Sequence, residues 1–283
     1  MKISRIIVVG MVIFLTAACS FNVSLPKVRT GEEKIFTFNQ PIPEKQTESV
    51  LEIEMGAGLL NISAGSDKWF DGEIRYNVSI WEPKLENKEN GFLLHQRTSE
   101  AEITIPEGDI INQWSLRIGD HPTDLIIKAG AYQGNLNLSG IPLTGLSIKD
   151  GASQSTVVFE KPNPVEMDLF SYQTGASKIE LLGLANTNAE TMVFQSGSGS
   201  SILDFSGKIQ RDMEITVEFG LGDVEIIVPK NTPVYARVNG GLNNVELNGT
   251  WNISGNEYSI DGKGPKLTFN INVGVGNLKL TNK

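Results

Sequence analysis

The stretch TGASKIELLG, residues 174–183, contains the pattern that decides the fold. Gly175 is followed by apolar residues four and six positions later, Ile179 and Leu181, and a strand-like alternating segment precedes it. Alternation of this kind is typical of a β-strand with one buried face, and a glycine between two such segments indicates a tight turn. The stretch therefore predicts a unit made of strand, glycine turn and strand.

The same unit recurs along the chain. Between positions 132 and 241 successive units advance by roughly 21 to 24 residues, which is the range of solenoid rungs. The single apolar face of one unit cannot be buried alone, so units must stack and bury a continuous core between them. We predict glycine at the turns because a positive φ or a close neighbouring rung excludes a Cβ. The predicted turn glycines are Gly56, Gly130, Gly151, Gly175, Gly199, Gly220, Gly241 and Gly274.

The rest of the sequence after Val50 agrees with this pattern. Short alternating segments are separated by Gly, Asn, Asp and Pro, and no amphipathic helix longer than two turns is evident. The predicted fold class is all-β, a single-stack β-solenoid of about seven to eight two-strand rungs. The recurring Gly-x-Gly sequences do not indicate nucleotide binding, because a third glycine and a following helix are missing.

The N-terminus has the features of a secretory signal, predicted to span residues 1–18. Lys2 and Arg5 precede an apolar run of about 13 residues, shorter than the roughly 20 that a membrane-spanning helix needs. The small residues before Cys19, the only cysteine, resemble the lipobox of bacterial lipoproteins, although Thr16 stands where Leu is usual. That resemblance implies that Cys19 is acylated and becomes the new N-terminus. The alternative is an ordinary secretory signal with an incidental cysteine.

Three further segments follow. We predict a lipidated N-terminus and tether over residues 19–48, an N-terminal β-strand region of the solenoid over 49–124, and the repeat solenoid over 125–283. For part of the tether the alternative is a strand near Lys34–Phe38. The C-terminal strand Asn277–Thr281 is predicted to leave an open sheet edge.

Composition restricts the chemistry. The formal net charge is −9, and removal of residues 1–18 takes two basic residues and no acid, so nucleic acid is a poor partner. The only histidines, His95 and His121, precede the repeats, and no thiol remains once Cys19 is acylated. Ser-His-Asp, Cys-His and histidine-rich metal sites are therefore not expected, and we predict no cofactor. His121, followed by Pro122, is expected in a turn.

Carboxylates are the remaining candidates for chemistry. Glu180, Asp204, Glu225 and Glu246 stand five positions after successive turn glycines, between the two apolar positions and so on the outer face. In-register stacking would form them into a ladder with the strand spacing of about 4.8 Å. Such a ladder could bind a divalent cation such as Ca²⁺ weakly, or it could be a solvated face whose repulsion is screened by water and salt.

The run at residues 112–164, with TGASKIELLGLAN and SGSGSSILDFSG after it, resembles the bacterial toast-rack proteins. This family is related to the C-terminal domains of Lia-type sensors of cell-envelope stress and to candidate β-solenoid adhesins. The resemblance covers about residues 50–283 and includes the repeated Gly-Ala turns and Trp114 before the first full rung. It implies a fold and an envelope role, and it brings no catalytic residue.

These observations predict a non-enzymatic protein outside the cytoplasm, attached to a membrane by its N-terminal lipid. Ser20 does not decide between inner and outer membrane. The predicted role is presentation of a rigid β-surface to another envelope protein or to the cell wall, with a link to envelope stress. One alternative is a surface adhesin, and another is a polysaccharide-active enzyme, since some β-solenoids cleave polysaccharides with acidic residues.

Overall fold

The computed structural model describes residues 27–44, 49–96 and 105–283. The predicted signal peptide, Cys19 and the start of the tether lie outside these residues. In the described part the chain is all-β, with two short 3-10 turns at Ser79–Trp81 and Leu184–Thr187. The strands are β1 (Lys27–Arg29), β2 (Lys34–Gln40), β3 (Ser49–Ala64), β4 (Phe70–Tyr76), β5 (Lys84–Lys88), β6 (Gly91–His95), β7 (Ile105–Glu107), β8 (Asn112–Ile118), β9 (Thr123–Asn137), β10 (Leu143–Val158), β11 (Met167–Leu182), β12 (Ala189–Asp204), β13 (Met213–Val228), β14 (Val234–Asn248), β15 (Asn252–Ser254), β16 (Glu257–Ile260) and β17 (Leu267–Asn282).

Eight long strands of the described chain form the rungs of a solenoid. They stack in parallel in the order β3, β9, β10, β11, β12, β13, β17, β14. Each is 15 or 16 residues long and bends near its middle. We name the half before the bend the first arm, the half after it the second arm, and the bend itself the corner. The prediction of an all-β solenoid of about seven to eight two-strand rungs is confirmed.

The alternation of buried residues changes phase at the corner, so both arms face one interior. In β11, Phe170 and Tyr172 are buried on the first arm, and Ile179 and Leu181 are buried on the second. An uninterrupted alternation would point these two pairs to opposite sides of the sheet. Side chains also meet across the interior, because the ring of Phe159, just after the second arm of β10, packs edge-on at 6.0 Å from Phe170. Two layers of strands therefore enclose one continuous apolar core.

Glycine forms a column along the corner because successive rungs approach closely there. A Cβ on Gly151 would lie 2.8 Å from the carbonyl oxygen of Gly130, and one on Gly220 would lie 2.6 Å from that of Gly197. The column consists of Gly56, Gly130, Gly151, Gly175, Gly197, Gly220, Gly274 and Gly241. The predicted turn residue Gly199 lies two positions beyond it, opposite Ser177 and Gly222, and has a φ of 127°.

The N-terminal end of the stack is covered in both layers. β8 continues the second-arm layer beside β3, followed by the antiparallel strands β4 and β2, while β6 and β5 continue the first-arm layer. β2 lies within the predicted tether, so the tether prediction is wrong there and the alternative strand near Lys34–Phe38 is present. It forms because Phe38 is buried and Phe36 packs against the core. β1 and β7 form a separate two-stranded sheet.

The C-terminal end differs from the prediction of an open edge at Asn277–Thr281. These residues belong to β17, which lies between β13 and β14 and is paired on both sides. The last rung in space is β14, although it precedes β17 in the chain. The hairpin of β15 and β16 pairs with the first arm of β14 at Val234–Arg237.

Candidate functional site

The outer face of the second arms carries the acidic residues that the sequence singled out. The register places one residue from each of β11, β12, β13, β17 and β14 in a row, which we call the outer row. Its members are Glu180, Ile202, Glu225, Lys279 and Glu246. Asp204 lies two positions further along β12, opposite Leu182 and Ile227. The predicted ladder of four carboxylates is therefore not formed.

Two features of the stacking break the ladder. In β12 the corner residue is Gly197 rather than Gly199, so the position five residues after the corner holds Ile202 instead of Asp204. The insertion of β17 between β13 and β14 then brings Lys279 between Glu225 and Glu246. The outer row consequently alternates acidic with apolar or basic side chains.

A shallow groove of about 330 Å³ follows the outer row. Ile202 contributes apolar surface, and charged side chains of both signs surround it, among them Lys178, Asp223 and Lys279. Surfaces that combine a small apolar patch with charges of both signs can contact a protein or a polar polymer, since each charge selects an opposite partner.

The charges in this groove are largely paired with each other. Nζ of Lys279 lies 3.1 Å from Oε1 of Glu225, and the hydroxyl of Thr281 donates to the same oxygen at 3.0 Å. Asn277 Nδ2 donates to Oδ1 of Asp223 at 2.6 Å, and Nζ of Lys178 lies 3.9 Å from Oε1 of Glu180. Such partly exposed pairs contribute little to stability.

The metal hypothesis finds no support in the geometry. Across residues 27–44, 49–96 and 105–283, no group of three or more His, Cys, Asp or Glu side chains is placed to hold a metal ion. Ca²⁺ takes six to eight oxygen ligands, and the outer row does not gather them. This face is a surface of mixed charge.

The two histidines are buried near the N-terminal end of the stack. His121 lies in the bend between β8 and β9, as expected, and its Nε2 is 3.0 Å from Oγ of Ser49. The imidazole is fully buried, so burial lowers the pKa of His121 and favours the neutral ring. Nε2 of His95 is 3.0 Å from Oε1 of Glu86, and the hydrogen bond from His95 lowers the pKa of that carboxyl. The Ser49–His121 pair lies inside the core, where a substrate cannot reach it.

A buried carboxylate that the sequence analysis missed lies inside the corner of β10. Asp150 accepts hydrogen bonds from the hydroxyls of Thr174 at 2.5 Å, Ser153 at 3.0 Å, Tyr172 at 3.1 Å and Ser177 at 3.3 Å. Burial also raises the pKa of Tyr172, which keeps its hydroxyl protonated as a donor. The network joins rungs β10 and β11, and its position beneath the corner indicates a structural role.

That network could have been found from the repeat. Asp150 occupies the inward position before the corner glycine, where β3, β13 and β17 hold Met55, Phe219 and Val273 but β11 and β12 hold Thr174 and Ser196. An acid at an inward position, next to a hydroxyl residue at the same position of the neighbouring rung, signals a buried carboxylate with dedicated donors.

The predicted lipidation site, Cys19, falls outside the described residues, so no geometry bears on it. Among the described residues there is no helix with the length and apolar character required to traverse a bilayer.

Comparison with known proteins bears on the family. Residues 27–171 match the family model described as "N-terminal domain of toast_rack, DUF2154". No curated protein matches the sequence.

The solved structures that match this chain come from several bacteria. A candidate cell adhesion protein from Clostridium sporogenes is 20% identical, with 89% of this chain and 100% of that chain covered and a TM-score of 0.48. A candidate adhesin from Bacteroides fragilis is 12% identical, with 89% and 99% covered and a TM-score of 0.34. A candidate lipid-binding protein from Parabacteroides distasonis is 10% identical, with 90% and 99% covered and a TM-score of 0.40. Likenesses this distant carry no information about activity.

Proposed function

The chain belongs to the toast-rack family, and from that premise we propose that it is a non-catalytic cell-envelope protein, lipid-anchored through Cys19. Its stacked β-surface binds or scaffolds another envelope protein or the cell wall, and it serves in the response to envelope stress. It works outside the cytoplasm.

The distribution of polar groups is the observation that carries this proposal. The groups suited to acid–base or nucleophilic work, namely His121 with Ser49 and the carboxylate of Asp150, are buried and engaged in the interior. The accessible charges lie instead on the broad outer faces and are held in fixed positions by in-register strands. An extended, rigid and polar surface is suited to recognition rather than to chemistry in a cleft.

The lipid anchor rests on the sequence at the N-terminus. Each acyl methylene buried in a bilayer contributes about 0.8 kcal/mol, so two or three chains on Cys19 hold a protein stably on a membrane. Radioactive palmitate should label the wild-type protein and leave Cys19→Ala unlabelled. Equal labelling of both proteins, or release of the wild-type protein as a soluble species, would contradict the anchor.

The envelope role is tested in the producing cell. Deletion of the protein should change tolerance to antibiotics that act on the cell wall, and the wild-type protein should restore it while Cys19→Ala should not. Unchanged tolerance together with binding of the purified protein to foreign cells would establish the adhesin instead. Cleavage of uronate or peptidoglycan polymers, lost on Glu225→Gln, would establish an enzyme.

A further inference from the structure

The two layers of the solenoid end at different places at the C-terminal end. The first-arm layer continues beyond β14 through β16 and β15. No strand in the described part of the chain pairs with the outer side of the second arm of β14, residues 242–248. A step two strands wide is left in the second-arm layer, and we call it the C-terminal step.

The floor of the C-terminal step is apolar. Ile260 and Tyr258 lie opposite the buried residues Val234 and Ala236, so they point to the same interior face. Ile253 lies opposite Tyr258 and shares that face, yet it is 61% exposed. In the middle of the stack, inward-facing side chains of the first-arm layer are covered by a strand of the second-arm layer. Here the covering strand is missing from the described chain.

The wall of the step is the edge of β14. Val245 and Leu247 point inward but are only half-buried, whereas Leu278 and Leu280 on the neighbouring rung are fully buried. Glu246, which lies between Val245 and Leu247, points outward and is exposed. Its neighbour in the outer row, Lys279, already pairs with Glu225. The edge thus offers backbone hydrogen-bonding groups, inward apolar side chains and an outward carboxylate.

Strand counting excludes a second copy of the chain as the occupant. A copy that joined edge to edge through its own β14 would bring its first arm into the place that β16 holds. A copy stacked head to tail would place β2 beside β14. In the added copy, the second-arm layer extends three strands beyond β3 and the first-arm layer extends two strands beyond it. The β5 of the added copy would then overlap with β15 of the first molecule. The step therefore has room for an extended segment next to β14 and not for another solenoid.

We propose that the C-terminal step is a β-strand acceptor for an extended segment of another protein. The segment adds one strand to the second-arm layer next to β14, with alternate apolar side chains covering Ile253 and Tyr258. Its outward side chain opposite Glu246 is Lys or Arg, because an acidic edge position selects a basic cross-strand partner. Main-chain hydrogen bonds provide affinity, and the two side-chain faces provide specificity.

Trp251 supplies the signal for a direct test. It lies in the link from β14 to β15, is half-buried against the core, and its Nε1 donates to the carbonyl oxygen of Asn248 at 3.2 Å. The probe is a blocked seven-residue peptide that alternates valine and lysine. Titration should change the tryptophan fluorescence saturably, and Trp251→Phe should remove that change.

Backbone methylation separates strand addition from simple hydrophobic contact. In a bound strand the amides of valines and lysines point to opposite edges, so only one of the two faces β14. Of two peptides, one N-methylated on every valine and one on every lysine, one should lose binding and the other should retain it. Equal binding of both, or no saturable change up to millimolar peptide, overturns the proposal.

Matched variants locate the site. Ile253→Asp should weaken peptide binding by about tenfold or more, while Ile35→Asp, at a residue 59% exposed on β2 at the other end of the sheet, should leave it unchanged. Glu246→Lys should weaken binding of the valine–lysine peptide about threefold to fivefold and should strengthen binding of a peptide that alternates valine and glutamate. Glu180→Lys should leave the binding of both peptides unchanged. Equal effects of the two isoleucine variants would place binding elsewhere.

This inference deepens the binding role proposed above and rests on it. The two can fail separately, because peptide binding is measured with purified protein, whereas the envelope role is measured as labelling and antibiotic tolerance in cells. A deletion phenotype without peptide binding leaves the envelope role and removes the acceptor. Peptide binding without lipid labelling or a phenotype leaves the acceptor and removes the envelope role.

Discussion

Alanine at a corner glycine tests the close approach of rungs directly. Gly220 is the informative position, because a Cβ there would lie 2.6 Å from the carbonyl oxygen of Gly197 on the rung before it. That contact is too short for carbon and oxygen, so either the rungs separate or the corner shifts. The residues on either side of Gly197, Ser196 and Ser198, are paired with both neighbouring rungs, so its backbone oxygen cannot move away like a flexible side chain.

The expected magnitude follows from two opposing effects. Forcing an additional methyl group into a packed site costs about 1–3 kcal/mol. Replacing glycine with alanine also restricts the unfolded chain, which contributes about 0.4–1 kcal/mol of stability. We therefore expect Gly220→Ala to lower the free energy of unfolding by about 1–2 kcal/mol.

The stack provides two matched controls for this change. At Gly56, which has no preceding rung, a Cβ would meet nothing within 4 Å, and at Gly241 the nearest atom, the carbonyl oxygen of Gly274, would be 3.6 Å away. Gly56→Ala and Gly241→Ala should therefore leave stability unchanged or raise it slightly. Urea unfolding followed by circular dichroism measures all three. Similar midpoints for Gly220→Ala and Gly56→Ala would refute the argument that rung spacing requires glycine.

Three other predictions concern side chains in the two layers. Burial lowers the pKa of His121 in the folded protein. As the pH falls below about 6.5, the unfolded chain binds a proton at this histidine before the folded protein does. The free energy of unfolding therefore keeps its full value above that pH and decreases below it, by at most about 1.4 kcal/mol per pH unit. His121→Gln should flatten the fall in urea midpoint between pH 6.5 and 5, and an unchanged profile would contradict this. Asp150→Ala leaves the hydroxyls around it without an acceptor and should cost about 3 kcal/mol, with Asp150→Asn costing less in the same assay. Because Lys279 pairs with Glu225, millimolar Ca²⁺ should not move the Tm of the wild-type protein but should raise that of Lys279→Glu. A calcium-dependent Tm in the wild-type protein would restore the cation hypothesis.

The solenoid could be predicted because its rule is local. A turn glycine with apolar residues at fixed offsets specifies one rung, and a rung with one apolar face must stack. The exact corner in β12 was ambiguous, because SGSGS offers two glycines with the same local chemistry. Only the contact with Gly175 of the neighbouring rung selects Gly197.

Features that depend on long-range pairing could not be predicted. β14 and β17 have the same local pattern, so nothing in either segment reveals that the later strand lies between β13 and the earlier one. The outer row and the C-terminal step both follow from that exchange. β2 was missed as the primary prediction because only Phe36 and Phe38 alternate in it, which is a weak signal beside three nearby prolines.

The exchanged order of β14 and β17 has a consequence for the timing of folding. During synthesis β14 is made before β17, the rung that it pairs with in the folded protein. The final arrangement can close only when residues 267–282 arrive and take their place beside β13. The last two rungs therefore cannot reach their final pairing until the strand that separates β13 from β14 has been made.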